Sequence, residues 1–273
     1  MDPAILTFLA APIVASLIIA GIHAYLGLHV VERGVIFVDL SLAQIASLGA
    51  AIAVWQGSDP HDPTVYWMSL AFTLIGAFIF AMIKGHEANI PQEAIIGISY
   101  AVASAAVIIT MSQSTGEAEH LKDMLVGNIL SVQWPEVGLT AAIYAVLGAF
   151  HYAFRHRFLA ISMDPQGEAA RGVSVRFWDF LFYASFGLVV TRSVAIAGVL
   201  LVFCYLIVPS VGGMLYSGRV GPRLAIGWVM GVVVSMLGMY FSVQFDLPTG
   251  AAIVCTFGLV LALMALARPV VRR

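Results

Sequence analysis

Asp39 is the residue whose type and position most directly ask for chemistry. It stands four residues into a run, residues 35–55, that is otherwise almost wholly apolar or small. An acidic side chain within a membrane span costs about 2.5–3.5 kcal/mol on insertion scales, so such a group is read first as functional. A carboxylate there is expected to line a route for cations, binding an ion weakly enough to release it. Other titratable groups lie nearer the ends of apolar runs. His23, Glu93 and Asp179 are placed to snorkel or meet solvent, and His151 reads as a packed or interfacial histidine rather than a ligand. Arg192, expected in the tight turn between the sixth and seventh apolar runs, is either an anchor at the outer headgroups or part of an outer gate.

The chemistry that is missing also informs. The two lysines are Lys84 and Lys122, and neither follows a glycine, so no Gly-x-x-x-x-Gly-Lys-Ser/Thr phosphate loop is present. Neither stands mid-span, which argues against a retinal-type Schiff base. The chain is therefore not expected to hydrolyse ATP in that way, and no cofactor of its own is expected. Cys204 and Cys255 fall in apolar runs and read as small packed hydrophobes.

The elements that position these groups follow from composition. Of 273 residues, 61% are hydrophobic and 10% charged, with a mean hydropathy of +0.97; soluble domains carry about a quarter charged residues. The fold class is all-α, a polytopic transmembrane bundle, and a nucleic-acid partner is not expected. A span takes about 20 mainly apolar residues. Such runs fall near 4–27, 35–55, 64–83, 94–112, 136–154, 175–190, 194–214, 224–243 and 250–267. These are about nine spans, with eight as the alternative if the short sixth forms a hairpin with the seventh that does not cross fully. With the N-terminus outside and the C-terminus cytoplasmic, Arg33, Lys84, Arg155, Arg157, Arg171, Arg176, Arg219, Arg223, Arg268, Arg272 and Arg273 fall inside, and Lys122 and Arg192 outside. Cationic residues accumulate in cytoplasmic loops, which sets this orientation. No repeat or linker is evident, so 1–273 reads as a single transmembrane domain.

The connecting segments differ in character. Residues 155–176 carry Arg155, Arg157, Arg171 and Arg176 and are expected to lie in water on the cytoplasmic side. Asp59, His61 and Asp62 lie close together in an outer loop, which reads as a solvated turn rather than a cation site. Residues 119–130, EHLKDMLVGNIL, are too short and too charged to span and suit an interfacial or re-entrant helix, which puts Asn128 near a pore mouth. Pro209, followed by Ser210-Val211-Gly212-Gly213, is expected to break the seventh span and let an inner gate move. Broken helices at membrane depth line cavities.

Four stretches, in this order, resemble the zinc/manganese/iron ABC importer permeases. They are Arg33-Gly34-Val35-Ile36-Phe37-Val38-Asp39 running on through Leu42-Ala43-Gln44 to Gly49, Glu93-Ala94-Ile95-Ile96-Gly97-Ile98, Leu125 to Val132, and Gly198 to Pro209-Ser210. The resemblance spans about residues 33–223. It implies a multi-pass homodimer in the bacterial plasma membrane that passes a divalent transition metal, zinc, manganese or iron. It further implies a cytoplasmic ABC ATPase that consumes the ATP and a periplasmic metal-binding protein that delivers the cargo. Glu168-Ala169-Ala170 and Gly172 look like the Glu-Ala-Ala…Gly coupling element of bacterial importers, which would seat on the ATPase, although there the glycine lies further on. Family members commonly carry an aspartate and a histidine four apart on the second span. Here Gln44 holds the histidine position, five residues after Asp39, and five residues turn a helix by about 500°, leaving the two side chains about 140° apart. An amide oxygen also suits harder cations better than zinc. The expected pathway residues are Asp39, Gln44, Asn128 and Pro209, with Asp39 the one metal ligand. The alternatives are a permease for a metal chelate, a secondary transporter driven by an ion gradient and a non-transporting scaffold.

Overall fold

The computed structural model describes residues 3–59, 62–83, 91–112 and 129–271, with side chains from Phe8 to Arg268 within those ranges. Every regular element among them is helical. The helices are α1 (Pro3–Arg33), α2 (Val38–Trp55), α3 (Pro63–Ile83), α4 (Gln92–Met111), α5 (Trp134–Ala153), α6 (Arg155–Met163), α7 (Pro165–Ala170), α8 (Val175–Ala197), α9 (Val199–Tyr216), α10 (Val220–Phe245) and α11 (Thr249–Val271), with a 3-10 turn at Ile129–Ser131. Eight are long and apolar enough to cross a membrane: α1 to α4 and α8 to α11. A ninth span results when α5 and α6, bent by 71° at Phe154, are taken together. The ambiguous crossing is thus α5, which carries Glu136 and His151 near its two ends, and not the sixth apolar run. The interfacial helix expected over 119–130, and Asn128 with it, lies outside the described residues apart from the turn that begins at Ile129.

Contacts divide the chain into two compact units. The first comprises Met1–Val31, Asp123–Ala149 and Ser193–Arg273. In it α9, α10 and α11 pack against one another pairwise. Backbones approach closely: a side-chain carbon on Gly238 would lie 2.6 Å from Ile253 Cα, and one on Gly213 would lie 2.5 Å from the Arg223 carbonyl oxygen. Small residues are used in this way where lipid gives helices no hydrophobic reason to associate. Buried hydroxyls are bonded within the unit, with Tyr205 OH 2.9 Å from Ser235 Oγ and Tyr216 OH donating to the Met264 carbonyl at 2.6 Å.

The expected break at Pro209 does not occur. Helix α9 runs through it from Val199 to Tyr216. Proline removes one amide donor, a loss confined to the Tyr205 carbonyl four residues earlier, and Gly212 and Gly213 serve close packing against α10 rather than a turn. The chain bends instead at Gly198, which takes φ +76 between α8 and α9. Arg192 consequently lies inside α8 and not in a turn. Glycine is the residue that adopts a positive φ without strain.

The second unit comprises Glu32–Lys122 and Phe150–Arg192. Helix α2 packs against both α3 and α4, and its small residues make this possible: a side-chain carbon on Gly49 would meet the Met68 carbonyl oxygen at 2.7 Å. Thr73 Oγ1 donates to the Ser69 carbonyl at 2.8 Å and lies 3.1 Å from Thr191 Oγ1, joining α3 to α8. The start of α3 is set by Asp62, whose Oδ1 accepts the Thr64 N–H at 2.8 Å. That hydrogen bond holds the Asp62 carboxyl below the usual carboxylate range, consistent with a solvated turn; His61 lies outside the described residues.

These close approaches predict an asymmetry. Gly49→Ala forces α2 from α3 and is expected to destabilise by about 1–3 kcal/mol. Gly21→Ala, with nothing within 4 Å of the added carbon, is expected to be neutral or to gain up to about 1 kcal/mol of helix propensity. Thermal unfolding in detergent distinguishes the two.

Candidate functional site

The site starts at the turn that opens α2. Gly34 takes φ +68, and Val38 N–H donates to the Val35 carbonyl at 3.1 Å. Phe37, the residue before α2, offers no side-chain cap. The missing acceptor comes from another helix: Glu93 in the first turn of α4 accepts the Phe37 N–H on Oε1 at 3.1 Å. A carboxylate is well placed there, because unsatisfied amides and the helix dipole make an N-terminus positive.

Asp39 lies in that same first turn and is 2% exposed. Its Oδ1 is buried without a hydrogen-bond partner, as is Glu93 Oε2. The two carboxylates are close enough to influence each other electrostatically. Each carboxyl keeps one oxygen unfilled in a setting where an unpartnered polar atom is costly, so the pair, once ionised, can accept a cation. Gln44 is also buried, but on a different side of α2; both positions are enclosed because α2 has neighbours in α3 and α4. Among the described residues no three of His, Cys, Asp and Glu converge as a metal cage.

Glu93 also lines a cavity of about 350 Å³, shared with Glu32, Arg33, Ser162, Met163 and Pro165. Here the structure departs most from the sequence reading. Asp179, expected near solvent, is fully buried and ion-paired with Arg33. Arg33 Nε donates to Ser162 Oγ at 2.9 Å, and its guanidinium lies 4.1 Å from the Phe182 ring centroid. His23, also expected near solvent, is fully buried and its Nδ1–H donates to the Ile19 carbonyl at 2.9 Å. His151 is a packed histidine, its Nε2 2.8 Å from Ser185 Oγ and its ring stacked on Phe158 at 4.5 Å. One usable hint of the Arg33 cluster lies in the charge pattern: Arg33 and Asp179 stand at ends of apolar runs assigned to the same membrane face.

The arginine-rich segment is built rather than merely solvated. Phe158 and Ile161 of α6 are fully buried. Phe158 meets Trp178 at 5.6 Å and Phe182 at 6.2 Å, contacts of a kind worth about 0.5–1.5 kcal/mol each beyond area. Asp164 caps α7 by accepting the Gly167 N–H at 2.8 Å, with Pro165 at the first helical position, where its missing N–H is no loss. Glu168 turns inward, 5% exposed, and pairs with Arg171 and, at 3.5 Å, Arg157. Ala169, Ala170 and Gly172 are exposed, and Gly172 takes φ +80 to end the helix. Pro209 is buried in α9 of the other unit. Cys255, read as packed, faces outward.

Removing one partner of the Arg33–Asp179 pair leaves a buried charge uncompensated. Arg33→Ala or Asp179→Ala is expected to cost about 3–5 kcal/mol, whereas the double change Arg33→Met, Asp179→Leu is expected to stay close to the parent. Denaturation in detergent, followed by fluorescence of Trp178, measures both.

The ABC 3 transport family matches residues 6–268 of this chain. The manganese transport system membrane protein MntC of Listeria monocytogenes is 24% identical over 250 residues, which cover 91% of this chain and 86% of that protein. The manganese import system permease protein ScaB of Streptococcus gordonii is 24% identical over 259 residues, 93% of this chain and 88% of that protein. Among solved structures, PsaBC from Streptococcus pneumoniae in complex with Fab has the same fold, with a TM-score of 0.78 at 23% identity over 94% of this chain and 90% of that chain. A family match over nearly the whole length, on a bundle of eight or nine membrane helices, identifies this chain as a member of the ABC 3 transport family.

Proposed function

We propose that this chain is the membrane-spanning permease subunit of an ATP-driven importer for a divalent transition metal. The observation that carries the reading is the start of α2, where Asp39 and Glu93 each keep a buried carboxylate oxygen unfilled. A resident structural ion would call for three or four converging ligands; a cargo ion needs a site it can leave. Manganese is the first cargo to test, because carboxylate and amide oxygens suit harder divalent ions and the relatives MntC and ScaB are named for manganese. The shortage of converging ligands among the described residues also favours a second reading, in which the metal crosses as a chelate.

The remaining assignments belong to the same proposal. The chain forms a homodimer in the bacterial inner membrane, with its N-terminus outside and its C-terminus cytoplasmic. It is the pore and no enzyme; ATP is hydrolysed by a cytoplasmic ATPase, and a periplasmic binding protein delivers the metal. Asp39 and Gln44 of α2 line the route. The ATPase docks on α7, where exposed Ala169 and Ala170 are presented by a helix whose inward side is held by Glu168. Nucleotide binding and release by the ATPase then bias the permease between outward- and inward-open states.

Three measurements test this. Elemental mass spectrometry of cells with and without the gene, under separate manganese, zinc and iron limitation, is expected to show one metal falling; no change in any of them overturns import of the free ion. Asp39→Asn keeps size and removes charge, and is expected to lower uptake about tenfold or more while the complex stays assembled; a tenfold loss corresponds to about 1.4 kcal/mol. Ala169→Trp places a bulky ring on the docking face and is expected to abolish co-purification with the ATPase without lowering the yield of the permease.

A further inference from the structure

Arg33 makes three different interactions with one guanidinium. It pairs with Asp179 of α8, donates from Nε to Ser162 Oγ of α6 at 2.9 Å, and lies over the Phe182 ring at 4.1 Å. The side chains of the pair are 1% and 0% exposed. A buried ion pair is a poor source of stability, since apolar residues of similar size commonly serve as well. Its distinctive property is direction. A guanidinium is a planar fork whose donors have fixed angles, so it holds the end of α1, the end of α6 and the face of α8 in one register. The aromatic contacts around it, such as Phe158 with Trp178, have no comparable directionality and tolerate sliding.

The position of the fork gives this a use. Ser162 stands two residues before Asp164, the cap of α7, so displacement of α7 pulls on Ser162 almost directly. On the other side, Arg33 is the last residue of α1 and leads through Gly34 into the turn that opens α2, where Glu93 accepts from Phe37. The cavity lined by Arg33, Ser162, Met163, Pro165 and Glu93 leaves about 350 Å³ free beside the fork. Close-packed interiors resist displacement, and this space removes that resistance on the side of the α6–α7 segment that faces α4.

We propose that Arg33 is a positioning residue that converts movement of the α6–α7 segment into movement of α1, α8 and the start of α2, with Ser162 and Asp179 as its two attachment points. The proposal rests on α7 being the docking element for the ATPase. It differs from a stabilising role in that it predicts a loss of transport per ATP rather than a loss of protein.

The experiment measures manganese uptake and ATP hydrolysis together in proteoliposomes holding the complete importer. Ser162→Ala removes one attachment and leaves the ion pair intact. Arg33→Gln with Asp179→Asn removes both charges at nearly constant volume, so no unpaired buried charge remains. In both, hydrolysis is expected to stay within about twofold of the parent while manganese moved per ATP falls about fivefold or more, the lower end of ordinary coupling energies. An unchanged ratio in both variants overturns the proposal, as does a fall of uptake and hydrolysis by the same factor. A Gln166→Cys probe on α7 separates this from failure of the docking reading. If it cross-links to the ATPase and the ratio is unmoved, only the role of Arg33 falls; if it does not cross-link, the docking reading falls and the role of Arg33 with it.

Discussion

Taking an ionised group out of water and into a bundle of apolar helices costs more than any one packing contact returns. The second unit meets this constraint in two opposite ways. Arg33 and Asp179 are buried together, with a serine and an aromatic face completing the surroundings of the guanidinium. Asp39 and Glu93 are like charges set near each other, with one oxygen apiece left unfilled. The first arrangement neutralises itself and fixes geometry. The second leaves acceptor capacity open at the start of α2. The two lie within one short stretch, from Arg33 to Asp39, so the residue that sets the register of α1 and the residue offered to a cation are separated by a single turn.

Backbone polarity imposes a parallel constraint. Each amide and carbonyl at membrane depth needs a partner, which accounts for the lack of strands among the described residues and for the way the helices end. Helix α2 borrows its cap from Glu93, and α7 is capped by Asp164. Helix α9 keeps its course through Pro209 and loses only the one bond to the Tyr205 carbonyl. Close packing is then achieved with glycine and alanine, because in lipid the gain comes from contact and not from leaving water.

The α6–α7 segment combines these constraints. Its arginines would by themselves describe a solvated loop, yet Phe158 is buried against the aromatic rings of α8 and Ile161 is buried as well, while Ala169 and Ala170 face out. A segment anchored by apolar contacts on one side and small on the other can carry force from a docked protein without deforming. Glu168 illustrates the point. In the sequence it reads as part of a recognition block; in the structure it turns inward and pairs with Arg171 and Arg157, holding the shape of the turn.

Hydropathy by itself determined the all-α membrane class and located the long helices, because a span is a local property of about 20 consecutive residues, but it ended α1 and α8 too early and began α9 too soon. The ordered motifs determined the family for the same reason: they are strings. Pairing was not legible. Nothing in the order of residues says that Arg33 reaches Asp179 or that Glu93 caps α2, since these depend on which helix faces come together. For the same reason proline and glycine misled at 209–213, where neighbours in α10 give the glycines a packing role, and Arg192 was misread as a turn when Gly198 makes it. Charge and length are written along the chain; which charges are neutralised, and which are left for a cation, only tertiary structure decides, because burial and partners are properties of the assembled helices.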